Sequence, residues 1–195
     1  MKYNIINSLP CRQKSFAVAA LLGFVLSVVL RHSGLDSVFN FGEAVPVSIC
    51  ALRLVSSIVL LWLMRCGLRQ ACGAFANTSL VLLIVASATT VGLALSVFNP
   101  LFLVVYYLLV FATICVQTFL AARLLSVIDG GLLMRFSIYA IISSAIVFVL
   151  FLIFVLYMLG IVSMTLSPDI IDLVSDVAYV VLACVLSLLL LRDHN

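Results

Sequence analysis

Two long stretches of this chain, residues 70–122 and 136–168, contain no charged residue. A segment of that length without any charge cannot cover the surface of a soluble domain, where charged and polar side chains meet water. The composition agrees, because 9% of the 195 residues are charged and 66% are hydrophobic, whereas soluble domains have about 25% charged residues. The chain is therefore predicted to fold in a lipid bilayer.

Six apolar stretches are candidates for membrane-crossing helices. A hydrocarbon core about 30 Å thick requires roughly 20 residues of α-helix. The predicted spans cover residues 15–30, 44–64, 79–98, 101–122, 136–164 and 170–191. These runs are continuous and lack the two-residue alternation of barrel strands. We predict one all-α polytopic membrane domain over residues 1–195, with about six transmembrane helices.

The positive charges indicate an orientation. If the N-terminus is cytoplasmic, eight Lys and Arg residues fall on the cytoplasmic side, and Arg31 is the one such residue in the opposite segments. Cytoplasmic loops of membrane proteins are enriched in Lys and Arg. Both termini are therefore predicted to face the cytoplasm.

Arg53 lies near the middle of the second predicted span. An arginine there costs about 2.5–3.5 kcal/mol on insertion scales, so it needs a carboxylate, carbonyl groups or water. Its side chain leans toward the start of its own helix, where Asp172 and Asp176 of the last span lie at a similar depth. We predict an intramembrane ion pair, or a gate on an ion path, formed by Arg53, Asp172 and Asp176; snorkelling to the surface is the alternative.

Asp169, Asp172 and Asp176 are three and four residues apart, so they share one face of the last helix. Together they form a predicted outer acidic mouth that would attract cations. The other interpretation is a solvated helix start, because Ser167-Pro168-Asp169 is typical of a capped N-terminus. Asp176 lies about 7–8 Å along the helix, which is deeper than capping alone requires.

Other polar side chains have predicted roles inside the bundle and at its cytoplasmic end. Gln117 is expected to make a polar contact between helices. Arg65, Arg69, Arg123 and Arg135 are expected at the cytoplasmic end. Membrane topology alone explains these four arginines, and docking of an acidic soluble partner or of anionic lipid is the functional alternative.

The sequence does not indicate an enzyme. It contains no His-Glu-x-x-His, no Gly-x-Ser-x-Gly and no phosphate-binding loop. The six cysteines include no Cys-x-x-Cys pair, and none falls in a predicted outer loop, so neither a zinc site nor a disulfide framework is expected. We predict no catalytic residue, no metal and no cofactor.

The size near 195 residues, the short arm of residues 1–15, the several spans and the minimal loops resemble the membrane subunit of the Kiwa anti-phage defence system. The resemblance covers the whole chain through these overall features. It implies a non-enzymatic, homo-oligomeric sensor or scaffold in the bacterial inner membrane, which recruits a soluble cytoplasmic nucleic-acid-binding partner. That partner would dock on Arg65, Arg69, Arg123 and Arg135, and the chain itself would not bind nucleic acid.

Two other functions stay open. Six helices in a chain of this length are similar to the substrate-binding subunits of energy-coupling-factor vitamin transporters. Those subunits carry small residues at four-residue spacing on the first helix, as Ala19, Gly23 and Ser27 do here. The other alternative is an ion-conducting oligomer that uses Arg53, Asp172 and Asp176.

Overall fold

The protein is built from six long helices. The computed structural model describes residues 11–33, 44–71, 73–99, 101–127, 132–158, 160–161 and 168–191. The helices are α1 (Cys11–His32), α2 (Ala44–Ala71), α3 (Gly73–Ser96), α4 (Leu101–Leu125), α5 (Leu132–Met158) and α6 (Pro168–Leu191). Each is long and apolar enough to cross a membrane. The prediction of an all-α protein with six such helices is confirmed.

Several helix ends differ from the predicted spans. Residues 65–71 and 73–78 were expected to form a loop but are helical, so α2 and α3 are separated by Cys72 alone. The fifth span was expected to continue to residue 164, but α5 ends at Met158. Gly160 has a φ of 70° there, and Ile161 N–H donates to the carbonyl of Leu156. This hydrogen bond and the left-handed glycine form a Schellman motif, which stops the helix within an apolar run.

The helices form a closed antiparallel ring. Each helix packs on the next along the chain, α6 packs back on α1, and α2 also contacts α6. Helices on opposite sides of the ring make at most marginal contacts within the described part of the chain. The ring therefore encloses an interior that backbone packing does not fill.

α1 and α2 approach closely at Gly23. A Cβ atom at that position would lie 2.5 Å from the Ser56 Oγ. Ser27, one turn further on, is 1% exposed, whereas Ala19 is exposed. Of the small residues spaced along α1, Gly23 and Ser27 face the interior of the protein and Ala19 does not, and at Gly23 the missing Cβ allows the close contact with α2.

Large apolar side chains fill one end of the ring. Leu68, Leu120, Leu124 and Leu190 are at most 2% exposed and belong to one continuous cluster. We call this the packed end; Arg65, Arg123 and Arg135 also lie there. The opposite end, where α1 ends and α6 begins, is called the cavity end.

Candidate functional site

Asp176 of α6 lies at the centre of an ion-pair cluster at the cavity end. Its side chain is 3% exposed, and its Oδ1 lies 2.7 Å from Nη1 of Arg53. Its Oδ2 lies 3.3 Å from Nη1 of Arg31 and 3.0 Å from Nε2 of His32. Arg31 also donates from Nη2 to Asp172 Oδ2 at 2.7 Å. One buried carboxylate thus links α1, α2 and α6.

The local sequence explains how these groups meet. Asp172 and Asp176 are one helical turn apart and lie on the same face of α6. Arg31 and His32 lie in the last turn of α1. Because α1 and α6 are antiparallel, this turn lies beside the first turns of α6. The Arg53 side chain extends toward the start of α2, as expected for a long helical side chain.

The structure brings together Arg53 and Asp176, the pair on which the sequence prediction rests. Asp172, in contrast, pairs with Arg31 rather than with Arg53. Sequence analysis missed Arg31 and His32 as members of the cluster. The available signal was that Arg31 is the single cation in the predicted outer segments, on the same side as the aspartates.

Arg53 has a second contact besides the carboxylate. Its Cζ lies 5.4 Å from the centroid of the Phe24 ring, within the range of a cation–π interaction. A guanidinium carries five N–H donors, and the ion pair with Asp176 uses one terminal nitrogen. Within the described part of the chain, this pair leaves N–H groups of Arg53 that a further acceptor can occupy.

The ion-pair cluster lines a cavity of about 230 Å³ in the interior of the ring. We call it the head cavity. This volume has room for several water molecules. Aromatic rings form the opposite wall, where Tyr107 lies 4.9 Å from Phe154 and 6.2 Å from Phe151 between ring centroids.

A second cavity of about 120 Å³, the tail cavity, adjoins the first toward the packed end. The two share Phe24, Ser57, Ala86, Thr113 and Tyr179 as lining residues. The further walls of the tail cavity are mainly leucine, alanine and phenylalanine side chains. The interior is therefore polar near the cavity end and apolar deeper in the bundle.

The charges observed at the cavity end differ from those of the predicted outer acidic mouth, because cationic side chains lie beside the aspartates. Asp172 and Asp176 face Arg31, Arg53 and His32, so the described carboxylates are matched by at least as many cationic groups. A field that concentrates cations does not follow from this arrangement. The side chain of Asp169 lies outside the described residues.

Gln117 makes the predicted contact between helices. Its Nε2 donates to the carbonyl of Ala140 at 3.2 Å and to Ser143 Oγ at 3.1 Å. All three residues are buried. This contact joins α4 to α5 on the wall of the tail cavity.

The predicted cytoplasmic arginines lie at the packed end but do not form one cluster. Arg123 lies over Phe75 and Phe119, with Cζ 5.9 and 5.5 Å from the ring centroids. Arg65 lies 5.5 Å from the Trp62 ring, and among the described residues its buried Nε has no hydrogen-bond partner. Arg135 is exposed, and the Arg69 side chain lies outside the described residues.

The described cysteines, Cys50, Cys66, Cys115 and Cys184, are unpaired. Within the described ranges no group of three or more His, Cys, Asp or Glu residues could hold a metal ion. The charged groups of the interior are instead arranged as hydrogen-bonded ion pairs.

Comparison of the chain with known protein families, with characterised proteins and with solved structures finds no match. The class to which this protein belongs is therefore assigned from its fold and its candidate site. Together they define a multi-pass membrane protein with a charged cavity inside its helix bundle.

Proposed function

We propose that this membrane protein binds a small molecule inside its helix bundle, with entry from the cavity end. The observation that carries the proposal is that the ion-pair cluster lines a cavity instead of being enclosed in a packed core. Ionisable residues within membrane spans are costly and usually mark functional sites. A cavity with a few converging polar groups is the usual form of a small-molecule site.

The packed end favours binding over free conduction. Leu68, Leu124 and Leu190 are almost fully buried there, and several residues that line the tail cavity belong to the same buried cluster. An ion crossing this end would have to pass between buried leucine side chains, which cannot replace its hydration. The interior has the form of a blind site, as in a solute-binding subunit of a transporter.

The positive charges support a proposed orientation of the site. Arg65, Arg123 and Arg135 at the packed end would face the cytoplasm under the positive-inside rule. The cavity end would then open to the outer side of a bacterial inner membrane. The ligand would reach Arg31 and Asp172 first, because their side chains are 27% and 52% exposed.

A cavity-filling variant tests the proposal. Ala86 lines both cavities, so Ala86→Phe should occupy the interior and exclude the ligand. Ala145 is exposed on α5, so Ala145→Phe adds the same side chain outside the interior and is the matched control. We would purify all three proteins in mild detergent and identify small molecules released by denaturation with mass spectrometry.

A compound released from the wild type and from Ala145→Phe, but not from Ala86→Phe, would support the proposal. If the three proteins release the same compounds in equal amounts, the cavity does not hold a ligand and the proposal fails. Thermal unfolding of each variant shows whether the fold is retained.

A second candidate is the sensor or scaffold predicted from the sequence. The observation in its favour is that Arg123 and Arg135 are exposed at the packed end, where a soluble acidic partner could reach them. A homo-oligomer that recruits a nucleic-acid-binding partner in anti-phage defence remains a prediction from the resemblance. A ligand in the cavity would then be the signal.

Affinity purification from native membranes tests this second candidate. A soluble protein that co-purifies with the wild type, but not with an Arg123→Glu/Arg135→Glu variant, would support docking at the packed end. Equal recovery of every soluble protein with both forms would contradict it. The mass of the complex in a native gel would report the predicted homo-oligomer.

A further inference from the structure

The interior of the ring changes character along its length. The head cavity is lined by the ion-pair cluster, three tyrosines and several hydroxyl groups. The tail cavity is lined mainly by apolar side chains such as Leu60, Leu120 and Leu186. From Asp176 to Leu186 the interior runs about 15 Å along α6, at 1.5 Å per residue. A ligand that fills both cavities must be polar at one end and apolar along the rest.

The charged groups of the head cavity differ in how far their hydrogen-bonding capacity is used. Both oxygens of Asp176 are occupied, by Arg53 on one side and by Arg31 and His32 on the other. Asp172 also accepts a hydrogen bond from Arg31. Its side chain is half-exposed, at the opening of the head cavity. Arg53, which is deeper and 16% exposed, uses one terminal nitrogen on a carboxylate. A buried head group therefore meets N–H donors at Arg53.

The described polar groups beyond Arg53 carry no formal charge. Ser57, Thr113 and Tyr179 line both cavities, and Gln117 lines the tail cavity. Gln117 is already engaged with α5 through its amide nitrogen. A cationic head group would find no free carboxylate among these side chains, whereas an anionic one pairs with the guanidinium of Arg53.

We propose that the ligand is a single-chain amphiphile with an anionic, carboxylate-type head group. The head group binds Arg53 in the head cavity, and the chain lies in the tail cavity toward Leu186. This inference rests on the proposed function and names the class of molecule that the cavity takes. The same chemistry can come from the bilayer as a free fatty acid or from the aqueous phase as a soluble carboxylate.

Matched probes on the wild-type protein separate the head group from the chain. We would measure saturable binding of radiolabelled decanoate to the protein in lipid nanodiscs, with empty nanodiscs as the blank. Unlabelled competitors would be decanol, decyltrimethylammonium and acetate. Decanoate should compete best, because decanol lacks the charge, decyltrimethylammonium reverses it and acetate lacks the chain.

Two outcomes overturn the inference while leaving the proposed function in place. One is that decanol or decyltrimethylammonium competes as well as decanoate, and the other is that acetate does. If delipidated protein does not bind decanoate and the wild type releases a compound other than an anionic single-chain amphiphile, which Ala86→Phe lacks, the class of ligand is wrong and the cavity site stands. If no probe binds and no compound is released, both proposals fail.

Variants of Arg53 test the head group. Arg53→Gln should weaken decanoate binding by roughly tenfold to a hundredfold, as expected for loss of a charge-assisted hydrogen bond. Arg53→Lys keeps the positive charge and should retain part of the affinity, with discrimination against decanol. Unchanged decanoate affinity in a folded Arg53→Gln variant would contradict the assignment.

A change of preferred chain length tests the tail cavity without altering any charge. Ala183 lines that cavity, so Ala183→Leu should shift the preference from dodecanoate toward octanoate. Ala145→Leu, on the exposed face of α5, is the matched control and should leave the preference unchanged. The same preference in all three proteins would show that the chain does not enter the tail cavity.

The source of the carboxylate follows from two further samples. A fatty acid released from protein as purified identifies the bilayer as the source. If nothing is released but delipidated protein binds octanoate added in water, the aqueous phase is the source. Both results support the anionic single-chain class.

Discussion

Asp176 contacts more partners than any other side chain of the described ion-pair cluster. Two arginines and a histidine from two helices converge on it while its side chain is 3% exposed. The sequence could predict a partner for Arg53, because an arginine in mid-membrane requires one. It could not predict that Arg31 and His32 share the same carboxylate, because the pairing depends on how α1 packs beside α6.

We expect Asp176→Asn to destabilise the protein more than Arg53→Ala. The first change leaves Arg31 and Arg53 without their shared anion, whereas after the second Asp176 still contacts Arg31 and His32. Removing one partner of a buried ion pair typically costs about 3–5 kcal/mol. Thermal unfolding in detergent measures the order.

Asp172→Asn is the matched control for this prediction, because the Asp172 side chain is 52% exposed. Its effect should be the smallest of the three. If Asp176→Asn and Asp172→Asn unfold at the same temperature as the wild type, the cluster does not stabilise the fold.

Helix ends and helix contacts follow from different kinds of residue. The extent of the apolar runs predicted six helices, but the end of α5 depends on Gly160 adopting a left-handed conformation, which hydropathy does not report. Contacts between helices depend on small and polar residues, since apolar side chains suit lipid and protein neighbours equally. Gly23 and Gln117 are therefore the positions at which packing can be tested.

Gly23→Ala should loosen the packing of α1 on α2. The new Cβ would lie 2.5 Å from the Ser56 Oγ, and overpacking of this kind typically costs about 1–3 kcal/mol. Removing the hydroxyl should relieve the clash, because the Ser56 Cβ lies at 3.8 Å. The double variant Gly23→Ala/Ser56→Ala should recover most of the lost unfolding temperature. A double variant no more stable than Gly23→Ala would contradict this contact.

Gln117→Leu should have a smaller effect. The amide of Gln117 donates to Ala140 and Ser143 on α5, and side-chain hydrogen bonds within membranes contribute on average about 0.6 kcal/mol. A double-mutant cycle with Ser143→Ala should show a coupling energy of that order. Strict additivity of the two substitutions would show that the hydrogen bond to Ser143 contributes nothing.

The closed ring and its hollow interior could not be predicted from the sequence. Ala86 and Ala145 are the same residue type, and both lie in helices apolar enough to cross a membrane, yet one lines the interior and the other is exposed. In a soluble protein polarity would separate these two faces, but in a bilayer lipid and protein interior are equally apolar. The number of helices was therefore predictable, whereas the location of the cavity was not.

The orientation of the whole bundle can be tested with single cysteines in a cysteine-free background. Ser33 is exposed at the cavity end and Ser126 at the packed end. A membrane-impermeant maleimide should label Ser33→Cys in intact cells and Ser126→Cys only after permeabilisation. The opposite pattern would reverse the predicted orientation.

The ion-pair cluster has a consequence for biogenesis, because its members are synthesised far apart in time. Asp176 follows Arg31 by 145 residues, which corresponds to roughly 7–30 seconds at about 5–20 residues per second. Throughout that interval α1 and α2 must stay in the membrane with Arg31 and Arg53 both lacking the carboxylate that later joins them. The arrival of α6 is therefore the step that locks the two earlier helices together, and a chain that stalls before it would present two unpaired arginines to the quality-control proteases of the membrane.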